Sequence, residues 1–184
     1  MCNRYYNELT VQQIEAMLGD LIVVLDEARN RPHKSDQRLT DEVLLLFPHD
    51  GRLALGTGRW GFPKAAGHGG GLTMNARSEA LDTTWKSCAR CWMPATGWVE
   101  YDEEQEGGKV KRTAQLVNTP DKSPFLLAGV CAVRDGTRRV AMTTQDAPER
   151  LHHLCDRMPI PYAIEAIAER EPEQIIDRVL FAPI

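Results

Sequence analysis

The spacing of apolar residues predicts one helix near the start of the chain. Apolar side chains between Val11 and Ile22 recur at steps of three and four, which places them on one helical face. Thr10 precedes this run and is a typical N-terminal capping residue. We therefore expect a helix from Thr10 to Leu25, followed by an exposed polar connection over residues 27–40.

Later segments have the pattern of strands. Apolar runs over residues 42–48 and 52–56 flank His49-Asp50-Gly51, and an Asp-Gly pair between apolar runs is a strong hairpin signal. The other predicted elements are strands over residues 88–101 and 114–117, a hairpin of residues 125–133 and 138–144, a glycine-rich loop over 56–71, and short helices over 148–154 and 164–170. This order predicts an α+β, sheet-rich fold with peripheral helices.

Composition adds limits to this picture. The chain has 184 residues, of which 42% are hydrophobic and 26% charged, as in one globular domain, so we expect a single domain over residues 1–184. No apolar run approaches the ~20 residues of a membrane-spanning helix. The first residues do not resemble a secretory leader, so we expect a cytoplasmic protein with no membrane partner. The net charge of -4 argues against nonspecific coating of nucleic acid, although a small basic patch stays open.

The chain has five cysteines, an odd number that favours thiols over disulfides in a reducing compartment. Cys131 lies in an apolar run and is expected to be a buried strand residue. Cys88 and Cys91 have the spacing of half a zinc site, but a tetrahedral site needs four ligands and no second pair follows. We expect a reduced pair there, with no metal and no cofactor. Residues 69–71, all glycine, predict a flexible lid.

Cys2 is the most unusual placement in the sequence. If Met1 is removed, the chain begins with an α-amine and a thiol on adjacent carbons. Their unperturbed pKa values are roughly 7.7 to 8.0 and about 8.5, so both nucleophiles are expected to be available near neutral pH. This pair condenses with an aldehyde to a Schiff base, and the thiol then closes a thiazolidine ring. The alternative is that Cys2 is merely an exposed terminal residue.

Several short segments occur in the order of one family's motifs. They are Met1-Cys2-Asn3-Arg4-Tyr5, Arg59-Trp60-Gly61, Asn75-Ala76-Arg77-Ser78-Glu79, residues 91–101 (Cys-Trp-Met-Pro-Ala-Thr-Gly-Trp-Val-Glu-Tyr), Thr143-Thr144 and Asp156-Arg157-Met158-Pro159. As an ordered set they resemble the SOS response-associated peptidase (SRAP) family. The resemblance implies a mixed, partly barrel-like β core.

The same resemblance implies a function in the DNA damage response. Proteins of this family capture abasic sites in single-stranded DNA by a covalent link from the N-terminal cysteine to the ring-opened sugar aldehyde, which shields the lesion. The implied partner is single-stranded DNA with abasic sites, and we expect a monomer. The implied enzyme activity is DNA–protein crosslinking, with lyase or thiol peptidase character as related activities.

The resemblance also assigns catalytic roles. Cys2 is the nucleophile, Asn75 positions the cysteine and the sugar through its side-chain amide, and Glu100 moves protons during ring opening and ring closure. From the residues alone, Asn75 could equally be a turn or cap residue. Glu100 could be a solvated acid at the end of a strand.

DNA contacts are implied at further positions. They are phosphate contacts by Arg4 and Arg77, base stacking by Trp60 and Tyr101, and places near the site for Thr144 and Arg157. Core packing for Trp60 and surface salt bridges for the arginines are the alternatives.

Besides Asn3 for the family's glycine and Tyr101 for its tryptophan, the chain departs from the family pattern in two places that bear on the site and the fold. The family histidine before the Asp-Arg-Met-Pro motif is Cys155 here, and a thiol passes protons poorly in place of an imidazole. His152 and His153 lie just upstream, but in a helix over 148–154 neither would share the direction of Cys155. A shift of one turn could still bring one of them in. The part after Pro159 is short, so we expect a shortened C-terminal part without a closing strand.

Two other functions stay open at this point. Cys2 could be the nucleophile of a thiol peptidase or autopeptidase. The chain could also be a noncatalytic module that binds single-stranded DNA. The substitution Cys2→Ala separates the three, since it would abolish adducts, abolish cleavage or leave binding intact.

Overall fold

The computed structural model describes residues 2–64, 70–106, 109–168, 174–175 and 179–183. Side chains are described for these residues except 103–106, 109–110, 168 and 180–183. Gly69 of the expected lid and residues 169–170 of the second short helix therefore lie outside the described residues, as does residue 1.

Helices are few and short. The α-helices are α1 (Val11–Leu18) and α2 (Asp26–Arg29), and the 3-10 helices are Gly19–Leu21, Ser78–Ala80, Glu149–Leu151 and Ile164–Ala168. In the described residues, the two predicted short helices are 3-10 segments of three and five residues. None of the described helices has the length and apolar character needed to span a bilayer.

Strands make up most of the described chain. They are β1 (Arg4–Tyr6), β2 (Ile22–Val24), β3 (Asp36–Arg38), β4 (Glu42–His49), β5 (Arg52–Trp60), β6 (Phe62–Pro63), β7 (Leu72–Thr73), β8 (Asn75–Arg77), β9 (Ala89–Ala95), β10 (Gly97–Glu106), β11 (Lys109–Asn118), β12 (Phe125–Arg134), β13 (Thr137–Asp146), β14 (Arg157–Pro159), β15 (Pro161–Ala163) and β16 (Leu180–Pro183).

The predicted first helix begins where expected but ends early. The Thr10 hydroxyl accepts a hydrogen bond from the Gln13 amide, and the Gln13 side chain accepts one from the Thr10 amide, which completes a capping box. The helix stops at Gly19, whose φ is +49°. The predicted continuation to Leu25 is wrong, because the β-branched run Ile22–Val24 forms β2 and pairs in parallel with β5. The predicted exposed connection likewise contains α2 and β3.

Both predicted hairpins are confirmed. β4 pairs antiparallel with β5, and β12 with β13. In the second hairpin Asp135 and Gly136 have φ values of +51° and +72°, as a tight hairpin turn requires. The predicted loop over 56–71 is wrong over 56–60, which belongs to β5. A Cβ at Gly58 would lie 2.4 Å from Cδ1 of Leu45, so this glycine serves close packing inside a strand.

The strands form a small sheet and a ring-like large one. The small sheet has the order β16-β11-β10-β1-β3. The large sheet runs β14-β13-β12-β9-β4-β5-β2, and β13 also pairs with β5, so five of its strands close into a ring. The predicted sheet-rich α+β fold with a mixed, partly barrel-like core is therefore confirmed.

The large sheet is apolar on both faces. In β4, Leu45 faces a core that also holds Trp98, while Leu46 faces a second core that holds Ile14 of α1. Alternate side chains of one strand point to opposite faces, which explains the continuous apolar run in this segment. The first core lies between the two sheets and contains Cys2.

The C-terminal end departs from expectation. β16 pairs antiparallel with β11 and forms an edge of the small sheet. The expectation that the chain lacks a closing strand is therefore wrong. The pairing is nonlocal, and no turn signal near residue 180 announces it.

Candidate active site around Cys2

Cys2 lies just before β1 and is buried. Its exposed fraction is 0%, and its Sγ donates a hydrogen bond to the carbonyl oxygen of Arg4 at 3.3 Å. The alternative that Cys2 is an exposed terminal residue is therefore wrong.

Asn75 holds the backbone of Cys2. It begins β8, which pairs in parallel with β13, so it is a strand residue and not a turn or cap residue. Its Nδ2 donates to the carbonyl oxygen of Cys2 at 3.1 Å. Its Oδ1 is buried, and no described residue donates a hydrogen bond to it. The nitrogen of the side-chain amide is thus bonded to Cys2, while its oxygen can still accept a hydrogen bond.

Glu100 lies in β10 of the small sheet, near enough to Cys2 to act on its thiol electrostatically. Its exposed fraction is 2%, so it is not a solvated acid at a strand end. Burial raises the pKa of Glu100 to about 7 from the ordinary 4.5. Both its protonated and its ionised forms are therefore populated near neutral pH.

The thiol of Cys2 differs from the sequence expectation. Burial, followed by the negative charge of Glu100, raises the pKa of Cys2 well above its ordinary value. The thiol is therefore protonated at neutral pH, and the expectation of an available thiolate is wrong. Any reaction at sulfur needs a base, and Glu100 is near enough to influence the thiol electrostatically.

A cleft of about 670 Å³ opens beside Glu100; we call it the first cleft. Its walls include Glu100, Tyr101, Arg112, His152, His153 and Cys155. Burial, and then the charge of Glu100, raise the pKa of Cys155 to about 12. The residue in the place of the family histidine is therefore an uncharged thiol at neutral pH.

The segment before Cys155 is not the regular helix expected over 148–154. The 3-10 turn ends at Leu151, and His152, His153 and Cys155 all line the first cleft. The expectation that neither histidine shares the direction of Cys155 is wrong, because it assumed helical spacing. Nε2 of His152 lies 2.7 Å from the carbonyl oxygen of Ala147.

A second cleft of about 470 Å³ adjoins the first. Its walls are Asn75, Arg77, Thr144, Asp146, Asp156 and Arg157. Asp156 lines both clefts. Cys2 therefore neighbours a wall residue of each cleft, Glu100 in the first and Asn75 in the second.

The two arginines predicted to bind phosphate, Arg4 and Arg77, and Arg157, predicted to lie near the site, have different surroundings. Nε and Nη2 of Arg4 donate to the Asp36 carboxylate at 2.9 and 3.2 Å, and Arg157 donates to Glu79 at 2.8 and 2.9 Å. The exposed side chain of Arg77 has no hydrogen bond or ion pair with any described residue. Of the three, only Arg77 presents a guanidinium without a carboxylate partner in the described part of the chain.

The other predicted DNA contacts divide into two groups. Trp60 is fully buried, donates from Nε1 to the Met74 carbonyl at 2.9 Å and packs edge-on against Tyr5 at 5.5 Å. It is a core residue, so base stacking by Trp60 does not fit this structure. Thr144 is also buried, and its carbonyl accepts a hydrogen bond from Arg157. Tyr101 is half-buried and lines the first cleft.

The remaining cysteines are free thiols away from this site. Cys91 and Cys131 are buried strand residues, as predicted. Within the described residues, no group of three or more histidine, cysteine or acidic side chains could hold a metal ion.

Sequence reasoning missed some of the wall. Arg112 and Asp156 line the clefts, but neither stands out in a single sequence. In the β10–β11 pairing Arg112 lies opposite residue 103, two positions along the strand from the residue opposite Tyr101. Alternate residues of a strand share a face, so a correct register for this hairpin would have placed Arg112 near Tyr101.

Three solved structures share the fold of this chain. The chain matches a phage-related protein from Bordetella bronchiseptica at 20% identity and a TM-score of 0.73, covering 100% of this chain and 94% of that one. A second B. bronchiseptica protein matches at 19% identity and a TM-score of 0.73, covering 100% of this chain and 99% of that one. A Bacteroides thetaiotaomicron protein matches at 14% identity and a TM-score of 0.72, covering 100% of this chain and 92% of that one. At these identities the three structures show a shared fold.

No curated protein matches the chain. The family model for SOS response associated peptidase (SRAP) matches residues 1–169. The chain therefore belongs to the SRAP family, which is associated with the SOS response.

Proposed function

We propose that this protein captures abasic sites in single-stranded DNA by forming a thiazolidine with Cys2 after removal of Met1. The observation that carries the proposal is the placement of Cys2 beside two groups: Asn75, which holds its carbonyl at 3.1 Å, and Glu100, whose pKa is about 7 and whose charge acts on the thiol. An aminothiol, an amide and a carboxyl that titrates near neutrality are the groups that aldehyde capture needs.

The chemistry consumes one aldehyde and releases one water. The α-amine nitrogen attacks C1 of the ring-opened sugar, a C–N bond forms, and the carbonyl oxygen gains the proton that nitrogen loses. A further proton converts the resulting hydroxyl into water, which leaves a protonated C=N bond. The sulfur then attacks the same carbon, a C–S bond forms, and the S–H proton passes to a base. No oxidant or reductant takes part.

Asn75 has two uses in this scheme. Its Nδ2 fixes the Cys2 carbonyl, and its buried Oδ1 lacks a donor among the described residues. The α-amine of mature Cys2 is a donor that can satisfy this oxygen. Such a bond would orient the nitrogen lone pair toward the aldehyde and would offset the cost of a buried acceptor.

Glu100 acts as the base for sulfur. The Cys2 thiol is protonated at neutral pH, because burial raises its pKa. A carboxylate with a pKa of about 7 is a stronger base than an ordinary one, and a substantial fraction is ionised at neutral pH. Glu100 therefore suits removal of the S–H proton as the ring closes.

The two clefts suit an unpaired strand on either side of the reacting sugar. Asn75 belongs to the second cleft and Glu100 to the first, so a strand lying in both brings its sugar next to the two wall residues that neighbour the buried Cys2. Arg77 is the most available phosphate ligand. Arg4 and Arg157 would share their guanidinium groups between phosphate and their present carboxylates.

The family name favours peptidase activity as the second candidate. The Cys2 thiol, however, donates to a backbone carbonyl, and its pKa is raised. Thiol peptidases need a sulfur activated by a neighbouring imidazole or by a lowered pKa. Aldehyde capture needs neither, because the amine attacks first.

The test is incubation with single-stranded DNA that carries one abasic site. The wild-type protein should give a band that survives denaturation and boiling, and Cys2→Ala should give none. Cys88→Ala is the matched control, since it removes a half-buried thiol that lines neither cleft. Retention of the band in Cys2→Ala, or its absence in wild-type protein that lacks Met1, would contradict the proposal.

A further inference from the structure

We propose that Cys91 and Cys131 form a redox-sensitive thiol pair, which hydroperoxides convert to a disulfide and small thiols reduce again. The two residues lie on neighbouring strands of the ring-like large sheet, and neither lines the first or the second cleft. The proposal goes beyond aldehyde capture and does not depend on it.

The pairing of β9 with β12 puts the two side chains on one face of the sheet. Cys91 lies opposite Gly129, and Cys131 lies opposite Ala89. Alternate residues of a strand share a face, so Cys131, two residues after Gly129, faces the same side as Cys91. Both side chains belong to the core between the two sheets. They are therefore diagonal neighbours on adjacent strands.

Gly129 gives the Cys91 side chain room to approach Cys131. A Cβ at residue 129 would lie 3.1 Å from Sγ of Cys91, so this thiol occupies space that a side chain at 129 would need. The two thiols are joined by a hydrogen bond. No other side chain therefore separates the two sulfur atoms.

The hydrogen bond makes the two thiols unequal. The bond from Cys91, and then the positive charge of Arg138, lower the pKa of Cys131. Burial raises the pKa of Cys91 well above its ordinary value. Since the thiolate is the nucleophilic form of cysteine, Cys131 is the thiol that attacks an oxidant. Cys91 is the thiol that resolves the product.

The reaction balances with a hydroperoxide as the oxidant. The Cys131 sulfur attacks one peroxide oxygen, the O–O bond breaks, and the departing oxygen takes up the thiol proton, which leaves a sulfenic acid. The Cys91 sulfur then attacks the sulfenic sulfur, an S–S bond forms, and the hydroxyl leaves with the Cys91 proton as water. The two sulfur atoms lose two electrons, and the peroxide gains them.

A small oxidant can approach the pair. Cys91 lines a cavity of about 300 Å³, and Cys131 retains 4% exposure. This volume is many times the ~30 Å³ that one molecule occupies in liquid water. Hydrogen peroxide is little larger than water, so it fits this cavity and is the probe of choice.

The geometry predicts a disulfide that is easily reduced. Diagonal neighbours on adjacent strands lie roughly 7 to 8 Å apart, whereas the Cα atoms of a disulfide lie about 4.4 to 6.8 Å apart. Closure therefore requires β9 and β12 to move together by about 1 Å. Strained disulfides are the labile ones, so we expect a reversible modification.

The experiment treats folded wild-type protein with hydrogen peroxide and counts free thiols by alkylation in denaturant and mass spectrometry. Reduced protein should give five alkylated cysteines. Oxidised protein should give two fewer and a peptide pair joined through residues 91 and 131, and reduced glutathione should restore both thiols. A disulfide between another pair of residues would overturn the proposal. So would unchanged alkylation at a peroxide dose that fully oxidises free glutathione.

Two variants assign the roles. Cys88→Ala is the matched control, because Cys88 packs against the cluster of Phe62 and Val130 on the opposite face of the sheet. It should lose two thiols to peroxide at the wild-type rate. Cys131→Ser should keep Cys91 reduced at the same dose, because Cys91 then lacks the thiol that reacts first. Loss of the disulfide in Cys88→Ala, or oxidation of Cys91 at the wild-type rate in Cys131→Ser, would contradict the assignment.

Discussion

Cys2 and Cys91 are buried almost equally, at 0% and 1% exposure, and belong to the same core. Burial raises the pKa of both thiols. Their neighbours differ, because Cys91 faces the Cys131 thiol whereas Cys2 has Asn75 and Glu100 beside it. Under the proposed function, the feature that distinguishes Cys2 is the proton acceptor Glu100 beside it, since a cavity also adjoins Cys91.

The polar surroundings of Cys2 have an energetic cost that the surroundings of Cys91 lack. A carboxyl group and a carboxamide oxygen are buried next to Cys2, whereas Cys91 is surrounded by thiols and apolar groups. Burial disfavours the charged form of a carboxyl group, so folding free energy is lost when Glu100 ionises. The comparison thus predicts that removing the ionisable carboxyl beside Cys2 slows adduct formation but stabilises the folded protein.

The largest effect is expected from replacing the sulfur by oxygen at each of the two cysteines. Cys2→Ser keeps the α-amine but should lose the stable adduct, leaving a Schiff base that only borohydride traps. Cys91→Ser should form the adduct at the wild-type rate and unfold more easily, since it buries a hydroxyl. Denaturing gels with and without borohydride, together with urea unfolding, measure both. A boiling-stable adduct in Cys2→Ser would break the comparison.

Removing the base should have the next largest effect. Glu100→Gln keeps the shape of the side chain but takes no proton, so adduct formation should slow by roughly 10²-fold. The wild-type rate should rise with pH through about 7 as Glu100 ionises, and the variant should keep only the later rise that belongs to the α-amine, whose unperturbed pKa is roughly 7.7 to 8.0. Single-turnover rates between pH 5 and 9 measure it. A variant that keeps the limb near pH 7 would exclude Glu100 as its source.

The same substitution should change stability in the opposite direction. The pKa of Glu100 rises from 4.5 to about 7 on folding, so the folded state holds this proton more tightly. Its contribution is fully present below pH 4.5 and is lost as pH rises through 7, a loss of about 3 kcal/mol. Glu100→Gln should therefore be more stable than wild type at pH 8, with the difference disappearing near pH 4. Chemical unfolding at both pH values checks this, and a pH-independent difference would contradict it.

A smaller effect is expected at Asn75. Asn75→Ala removes the bond to the Cys2 carbonyl, so the aminothiol loses its orientation and the rate should fall by about tenfold. Asn75→Asp keeps an acceptor for the α-amine but no donor for the carbonyl, and should react at an intermediate rate. The order wild type, Asp, Ala in single-turnover rates is the result to check. A reversed order would assign Asn75 to a different role.

The smallest effect is expected from the exposed guanidinium in the second cleft. Arg77→Gln should weaken binding of single-stranded DNA and lower the slope of log affinity against log salt by about one, the value for one phosphate contact. Arg134→Gln, an exposed arginine outside both clefts, is the control and should leave the slope unchanged. Binding isotherms over a salt series measure both.

Local signals were readable in the sequence. The Asp50-Gly51 and Asp135-Gly136 turns specify their hairpins because the backbone geometry of a tight turn is set by its own residues. The cap at Thr10 was found for the same reason. Cys2, Asn75 and Glu100 came from an ordered set of motifs, and the structure brings them together.

Features that depend on contacts between distant parts of the chain could not be predicted from the sequence. Ile22–Val24 has helical spacing and β-branched side chains at once, and its parallel pairing with β5 decided the outcome. Trp60 could stack on a base or fill a core, and only the placement of Met74 and Tyr5 resolves this. The raised pKa of Cys2 is a property of its burial, so free-cysteine values could not give it.

The most direct test of the central claim is the intact mass of the covalent product with abasic single-stranded DNA. The account predicts a protein without Met1, joined to the oligonucleotide through residue 2 with the loss of one water, and a mass that borohydride leaves unchanged. A product joined at any other residue, or a protein that retains Met1 and forms the same adduct, would contradict it.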